Sequence, residues 1–307
     1  MKIMLKFLAI SFAFMLIATG CAKKTEKPPV GKEKIEAAAV SIDECVTSPD
    51  QKVSPAAAKG VDFKTQLKTA GKLTFGSDIA FPPFESVNPS TNEAEGFDID
   101  LGKEIAKRLG LEAEFINAGF DALFTQSLPQ GQFDVAISAI TVKAERQGSV
   151  DFTVPYFKAD LSLAAATKDG LTNIEDLKGK LIGAQSGTTG EDCAKVIKDQ
   201  VGATEVRSFE TALQAFDDLG AGRVAGVIND LPSSKQILKE RPALEIVQTI
   251  DTKEVYAIAI GKQKPDLRVA INKAMKEIFS DGTFANIYKK WFAVEPPFPL
   301  PPADFPN

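Results

Sequence analysis

From Leu73 to the "KKWF" near the C-terminus, short apolar runs alternate with stretches whose apolar residues recur at helical spacing. KLTFGSD predicts a strand, followed by the turn-rich "IAFPPFESVNPSTNEAEG". FDIDLGKEIAKRLG predicts an amphipathic helix ended by Gly110. EAEFINA is the next strand, ALFTQSLPQG a short helix, and FDVAIS another strand. A second series opens at KLIGAQ and passes through the helix GEDCAKVIKDQVG, the strand TEVRSF, the helix TALQAFDDLGAG and the strand VAGVI. SSKQILKE is helical, EIVQTI and YAIAIG are strands, and DLRVAINKAMKEIFSDGTFANIYKKWF supplies two closing helices. The fold class is α/β. Polar turns follow several strands at their carboxyl ends, the edge where open α/β sheets hold ligands.

Upstream of this region the pattern changes twice. "MKIMLKFLAISFAFMLIATGC" has two lysines, an apolar run from Phe7 to Ala18 and small residues up to Cys21. Residues 1–20 therefore read as a secretory signal peptide, with an apolar part too short for a membrane span; an N-terminal anchor helix is the alternative. "LIATGC" is similar to a bacterial lipobox, and that similarity implies that Cys21 becomes the lipid-modified first residue, anchoring the protein to a membrane from outside the cytoplasm. Residues 21–60 carry "KKTEKPPVGKEK" and no sustained period, and read as a flexible tether. Residues 296–307 form a Pro-rich tail.

Composition narrows the chemistry. With 307 residues, a guide of about 150 per domain suggests two globular units. The formal charge of −5, which becomes −7 once Lys2 and Lys6 are cleaved away, argues against nucleic acid as a partner. The absence of histidine removes His-based triads and zincin motifs. Cys45 in the tether and Cys193 in a helix stand in an exported context that permits a disulfide, but a bridge from a floppy segment is not expected. No metal-ligand spacing occurs, so neither metal nor cofactor is expected.

The stretch "SAITVKAERQGSVDFTVPY" places Ser138, Thr141 and Arg146 just past a strand. Arginine presents a fork of fixed donors that matches a carboxylate, and neighbouring hydroxyls can complete the coordination of one small anion. The alternative is a surface arginine paired with Glu145 or Asp151. "SGTTGE" precedes a helix whose free N–H groups attract an anion, although Thr188 also suits a plain N-cap with Glu191 as its box partner. Asp230, before Leu-Pro, is either a ligand group or another N-cap.

"GSDIAFPPFE", "EGFDIDLGKEIAKRLG", "FDVAISAITVKAERQGSVDFTVPYF", "DLKGKLIGAQSGTTG", "GRVAGVINDLP", "YAIAIGK" and "DGTFANIYKKWF" together resemble the polar-amino-acid family of solute-binding proteins that serve ABC importers, over roughly residues 71–293. The resemblance implies a two-lobed periplasmic-binding-protein-like fold of type II, with an amino acid held in the cleft between lobes. It sets the first lobe at 61–160 plus 252–295 and the second at 161–251, joined near "PYFKADLSLA" and "VQTIDTKEVYA". It matches Arg146 to the ligand α-carboxylate, with Ser138, Thr141, Thr188 and Thr189 beside it, and Asp230 to the ligand ammonium. Asp78 and Phe81 match side-chain contacts, Phe120 a second cleft aromatic, and Phe84 a core position or loop prop. Two positions depart from the family: Ala139, which is expected to offer its backbone amide, and Gly190, where some members place a polar contact.

Discrimination is expected from Asp78, Phe81, Phe120, Gln185 and Asn229, which suit arginine, lysine or glutamine and repel an acidic side chain. The implied partners are a free amino acid, permease subunits and the membrane through Cys21, with the protein acting as a monomer. Two other readings share the fold: an exported enzyme like cyclohexadienyl dehydratase, which needs a well-placed acid, and a ligand-sensing receptor.

Overall fold

The computed structural model describes residue 45 and residues 58–297; Cys21, the rest of the signal and tether regions, and the tail beyond Pro297 lie outside the described residues. The first pass of chain contains β1 (Lys72–Ser77), the hairpin of β2 (Ser86–Val87) and β3 (Ala94–Glu95), α1 (Phe97–Arg108), β4 (Glu112–Asn117), α2 (Phe120–Ala122), β5 (Val135–Ala136), α3 (Ala144–Gln147) and β6 (Val150–Phe152). β7 (Phe157–Ala166) then crosses into a second sheet. That sheet takes β8 (Leu181–Gln185), α4 (Thr189–Val201), β9 (Glu205–Phe209), α5 (Ala212–Gly220), β10 (Gly226–Asp230) and α6 (Leu231–Leu238). β11 (Leu244–Tyr256) runs back, and β12 (Ala259–Gly261), α7 (Pro265–Ser280) and α8 (Thr283–Phe292) finish the first lobe. Among the described residues no helix is long and apolar enough to cross a membrane.

Among the described residues the strands form two five-stranded sheets, ordered β4-β1-β5-β12-β6 and β11-β7-β10-β8-β9, beside the β2-β3 hairpin. β1 pairs in parallel with β4 and β5, and β8 with β9 and β10. Parallel strands need crossover helices that cover both faces, which is why β1, β8 and β10 read as near-continuous apolar runs. The two connections between the sheets are β7 and β11, antiparallel partners from Phe157 opposite Tyr256 to Ala166 opposite Leu244.

Two strand readings change. FDVAIS keeps only Val135 and Ala136 in the ladder, because the chain leaves the sheet to form a loop in which Ala139 adopts a left-handed φ of 46°. EIVQTI and the start of YAIAIG belong to one strand, β11, with its register shifted between Ile250 and Glu254 where Lys253 takes a φ of 53°. A bulge of this kind bends and twists a strand without ending it.

The departing loop is held by buried carboxyls. Asp98 Oδ2 accepts from the Ala139 N–H at 2.7 Å and from the Tyr156 hydroxyl at 2.8 Å, and Glu85 Oε1 accepts from Ser138 Oγ at 2.7 Å. Burial raises both acids, Asp98 to about 7 and Glu85 well above the usual carboxylate range. Gly96 is required at the head of α1: its φ is 143°, and a Cβ there would lie 2.0 Å from the Phe84 carbonyl oxygen. Phe84 is core, as one of its two expected roles had it. Its ring meets Phe157 at 5.0 Å and Tyr256 at 5.4 Å, edge to face, so the loop after β1 is packed onto both crossover strands.

Contrary to the sequence expectation, Cys45 and Cys193 form a disulfide, with Cα atoms 4.6 Å apart. Cys193 lies on the inward face of α4, and Cys45, only 3% exposed, joins the same apolar cluster with Leu161, Ala184 and Ile228. The segment around Cys45 has no periodic pattern to advertise this contact; the buried partner supplies it. Reduction, or Cys45→Ser, is therefore expected to lower unfolding stability by about 2–5 kcal/mol. Denaturant melts of the protein with and without reductant check this; coincident midpoints would show that the bridge contributes nothing.

Candidate ligand-binding site

One pocket lies where the loops after β1, β4 and β5 meet the carboxyl ends of β8 and β10. Phe81, Phe120, Ala139, Thr141 and Arg146 line it from the first lobe, and Gln185, Thr188, Thr189 and Asp230 from the second. These are nine of the residues singled out in the sequence. Asp78 joins them through a 2.6 Å hydrogen bond that its Oδ2 accepts from Gln185 Nε2 across the cleft. Ser138 stands behind: its Oγ accepts from the Asp78 N–H at 3.1 Å and donates to Glu85.

Arg146 is 5% exposed and pairs with neither Glu145 nor Asp151, so the surface reading does not hold. Its guanidinium donates to Thr141 O at 2.8 Å and to Gly187 O at 2.9 Å, one carbonyl from each lobe. Its Cζ lies 4.5 Å from the centre of the Phe124 ring and 5.3 Å from that of Phe120. Two bonds engage two of the five N–H groups that a guanidinium carries, which leaves capacity for an anion. Burial pulls this group below its ordinary value, and the carboxyls of Glu254, Asp192 and Asp230 pull the other way.

Asp230 is the residue before α6, yet its side chain makes no capping bond there. It accepts a short hydrogen bond from the Tyr256 hydroxyl instead. Burial raises it to about 6, against the opposing pull of that hydroxyl and of Arg146. Asp78 is likewise raised to about 6 by burial. Thr188 does cap α4, accepting from the Glu191 N–H at 3.1 Å, but Glu191 turns its carboxylate to Gly187 N–H and Ser208, so the box is only half formed. Gly190 allows α4 to start close against β10, since a Cβ there would lie 2.9 Å from Ile228 O.

Several expected contacts are already committed within the protein. The Ala139 amide, expected to face a ligand, donates to Asp98. Asn229 turns away, donating from Nδ2 to Ser234 Oγ at 3.2 Å inside the second lobe. The Thr141 and Thr189 hydroxyls both donate to Glu254, a residue the sequence reading passed over. Its only local signal is a charged position in the alternating "DTKEVY". The space enclosed by the lining is about 10 Å³, the order of one water, so anything larger enters only as the lobes part. A larger groove of about 860 Å³ lies beside β7, β11 and α8; the site is assigned to the smaller pocket because a buried guanidinium and a buried carboxyl line it together.

The profile described as bacterial extracellular solute-binding proteins, family 3, matches residues 73–294. The chain is similar to "ABC transporter arginine-binding protein 1" of Escherichia coli (strain K12), 35% identical over 241 residues that cover 77% of this chain and 97% of that protein. It is also similar to the solved structure "An ancestral arginine-binding protein bound to arginine", with a TM-score of 0.69 and 38% identity, covering 72% of this chain and 98% of that one. A further structure, "An ancestral arginine-binding protein bound to glutamine", gives a TM-score of 0.69 and 37% identity, covering 74% and 100%. With its two lobes, its crossover strands and this match over most of its length, the chain belongs to the bacterial extracellular solute-binding proteins of family 3.

Proposed function

We propose that this protein is a substrate-binding lipoprotein that captures a free polar or basic amino acid by cleft closure and delivers it to the permease subunits of an ABC importer, without catalysing a reaction on it. The observation that carries this reading is the buried pair Arg146 and Asp230, which line one pocket between the lobes. A zwitterion entering that space loses its water at both ends. The remaining donors of Arg146, with the Thr189 and Gly190 amides at the start of α4, offset the loss at the carboxylate, and Asp230 offsets it at the ammonium.

Arginine is the favoured ligand, with lysine and glutamine next. Phe81 and Phe120 offer aromatic faces, while Asp78 and Gln185 supply a carboxyl and an amide for a polar side chain. An acidic side chain would meet Asp78. Relatives named for arginine support this order. We take the lobes as 61–160 with 252–295, and 161–251, so that bending falls in β7 and β11, the antiparallel pair that connects the sheets.

Arg146→Lys keeps the charge and loses the fork, so it is expected to weaken every amino-acid ligand by about 2–3 kcal/mol. Titration calorimetry against arginine, lysine and glutamine reads this; unchanged affinity would remove Arg146 from the site. The anchor is tested separately. Cys21→Ser should move the protein from the membrane fraction to the soluble one, and a mature N-terminus that mass spectrometry finds unmodified, or placed at another residue, would contradict lipidation.

A further inference from the structure

Glu254 lies on β11, the returning crossover strand, and is 1% exposed. Its Oε2 accepts from Thr141 Oγ1 at 2.6 Å and from Thr189 Oγ1 at 3.0 Å. Thr141 belongs to the loop after β5 in the first lobe, and Thr189 is the first residue of α4 in the second. One carboxyl oxygen on the hinge therefore gathers a hydroxyl from each lobe. We propose that Glu254 is the interlobe latch of this protein, a positioning residue that holds Thr189 against Thr141 when the cleft closes. The inference rests on the amino-acid reading above for what the closed cleft holds.

The charge balance at the seam says in which form the latch works. The groups that face Glu254 are Arg146 on α3, Asp230 at the end of β10, and Tyr256 two residues along β11. Two carboxyls thus share one guanidinium, and ionising both leaves an uncompensated buried charge. Asp230 has the donated Tyr256 hydroxyl to stabilise its anion, whereas Glu254 Oε1 is buried and has no hydrogen-bond partner among the described residues. A lone ionised oxygen in such a place is far more costly than a neutral one, so Glu254 is the carboxyl that keeps a proton. Burial and the neighbouring Asp230 raise it to about 8.

The sign of the linkage follows. In this structure Glu254 is raised from the ordinary 4.5 to about 8; on this proposal, parting the lobes would take away the burial that raises it and bring it back toward 4.5. Closing therefore takes up a proton. The gain is fully present below the open-form value, is lost as pH rises toward about 8, and is constant above that.

The test compares the wild-type full chain with Glu254→Gln, Glu254→Ala and Thr189→Val, by calorimetry against L-arginine from pH 5.5 to 8.5. A glutamine carbonyl accepts both hydroxyls and carries no titrating proton. Wild-type affinity should fall by tenfold or more between pH 6 and pH 8, Glu254→Gln should bind about tenfold more tightly than wild type at pH 8, and the other two should be at least tenfold weaker at pH 6. Small-angle scattering without amino acid reads the latch independently of any ligand: wild type should expand between pH 6 and pH 8, and Glu254→Gln should not. If wild type binds no amino acid at any pH, the functional reading fails while scattering still decides the latch. Matching pH profiles for wild type and Glu254→Gln in both measurements, with Thr189→Val behaving as wild type, would overturn the proposal; Thr189→Val and scattering still decide it if Glu254→Ala fails to fold.

Discussion

Arg146 carries a fixed positive charge into the seam between two lobes, and such a charge costs several kcal/mol when its donors are left unmet. The protein meets part of that demand with Thr141 O from one lobe and Gly187 O from the other, and shields the flat faces with Phe120 and Phe124. Much of the seam follows from this. The carbonyls come from loops and not from strands, so FDVAIS must leave its ladder early and α4 must begin close to β10. Interlobe bonds from Gln185 to Asp78 and from Lys143 to Asp192, at 2.6 and 2.5 Å, tie the two sides of the seam at other points. A guanidinium held this way, with donors to spare, is preorganised for an anion arriving between the lobes.

Carboxyls make up the other half of the seam. Glu85 and Asp98 hold the Ser138–Ala139 loop from behind, while Asp230 and Glu254 face the guanidinium. All four are raised by burial, and one tyrosine stabilises one in each group: Tyr156, just before β7, donates to Asp98, and Tyr256, at the end of β11, to Asp230. The crossover pair is therefore more than a linker. β7 and β11 carry the aromatic packing around Phe84, and β11 also carries Glu254 and the Tyr256 hydroxyl that face the seam, so packing and charge meet in the same short segment.

Much of the fold was legible because its information is local. KLTFGSD, KLIGAQ and VAGVI are largely apolar runs of strand length bounded by turn residues, and each falls on a buried strand, the last displaced so that it spans Gly226–Asp230. Nine pocket residues were also legible, since they sit at the carboxyl ends of strands or in the turns and first helical residues that follow, where topology alone gathers them. The rest depended on pairings between distant parts of the chain. The Cys45–Cys193 bridge spans 148 residues and has no pattern around Cys45 to signal it. Glu254 meets Thr141 across 113 residues, and no rule of periodicity separates it from a solvated glutamate on an edge strand. Asn229, expected at the cleft, bonds Ser234 inside the second lobe for a simpler reason. Adjacent residues of a strand point to opposite faces, so Asn229 and Asp230 could not both serve the cleft.

A pocket that clamps both charged ends of a free amino acid should reject ligands with either end blocked. The purified protein would be titrated calorimetrically with L-arginine, with N-acetyl-arginine and with arginine amide. The account predicts binding of L-arginine and a loss of at least a hundredfold for each blocked compound, because Asp230 then faces no ammonium, or Arg146 no carboxylate. Equal affinity for all three would contradict it.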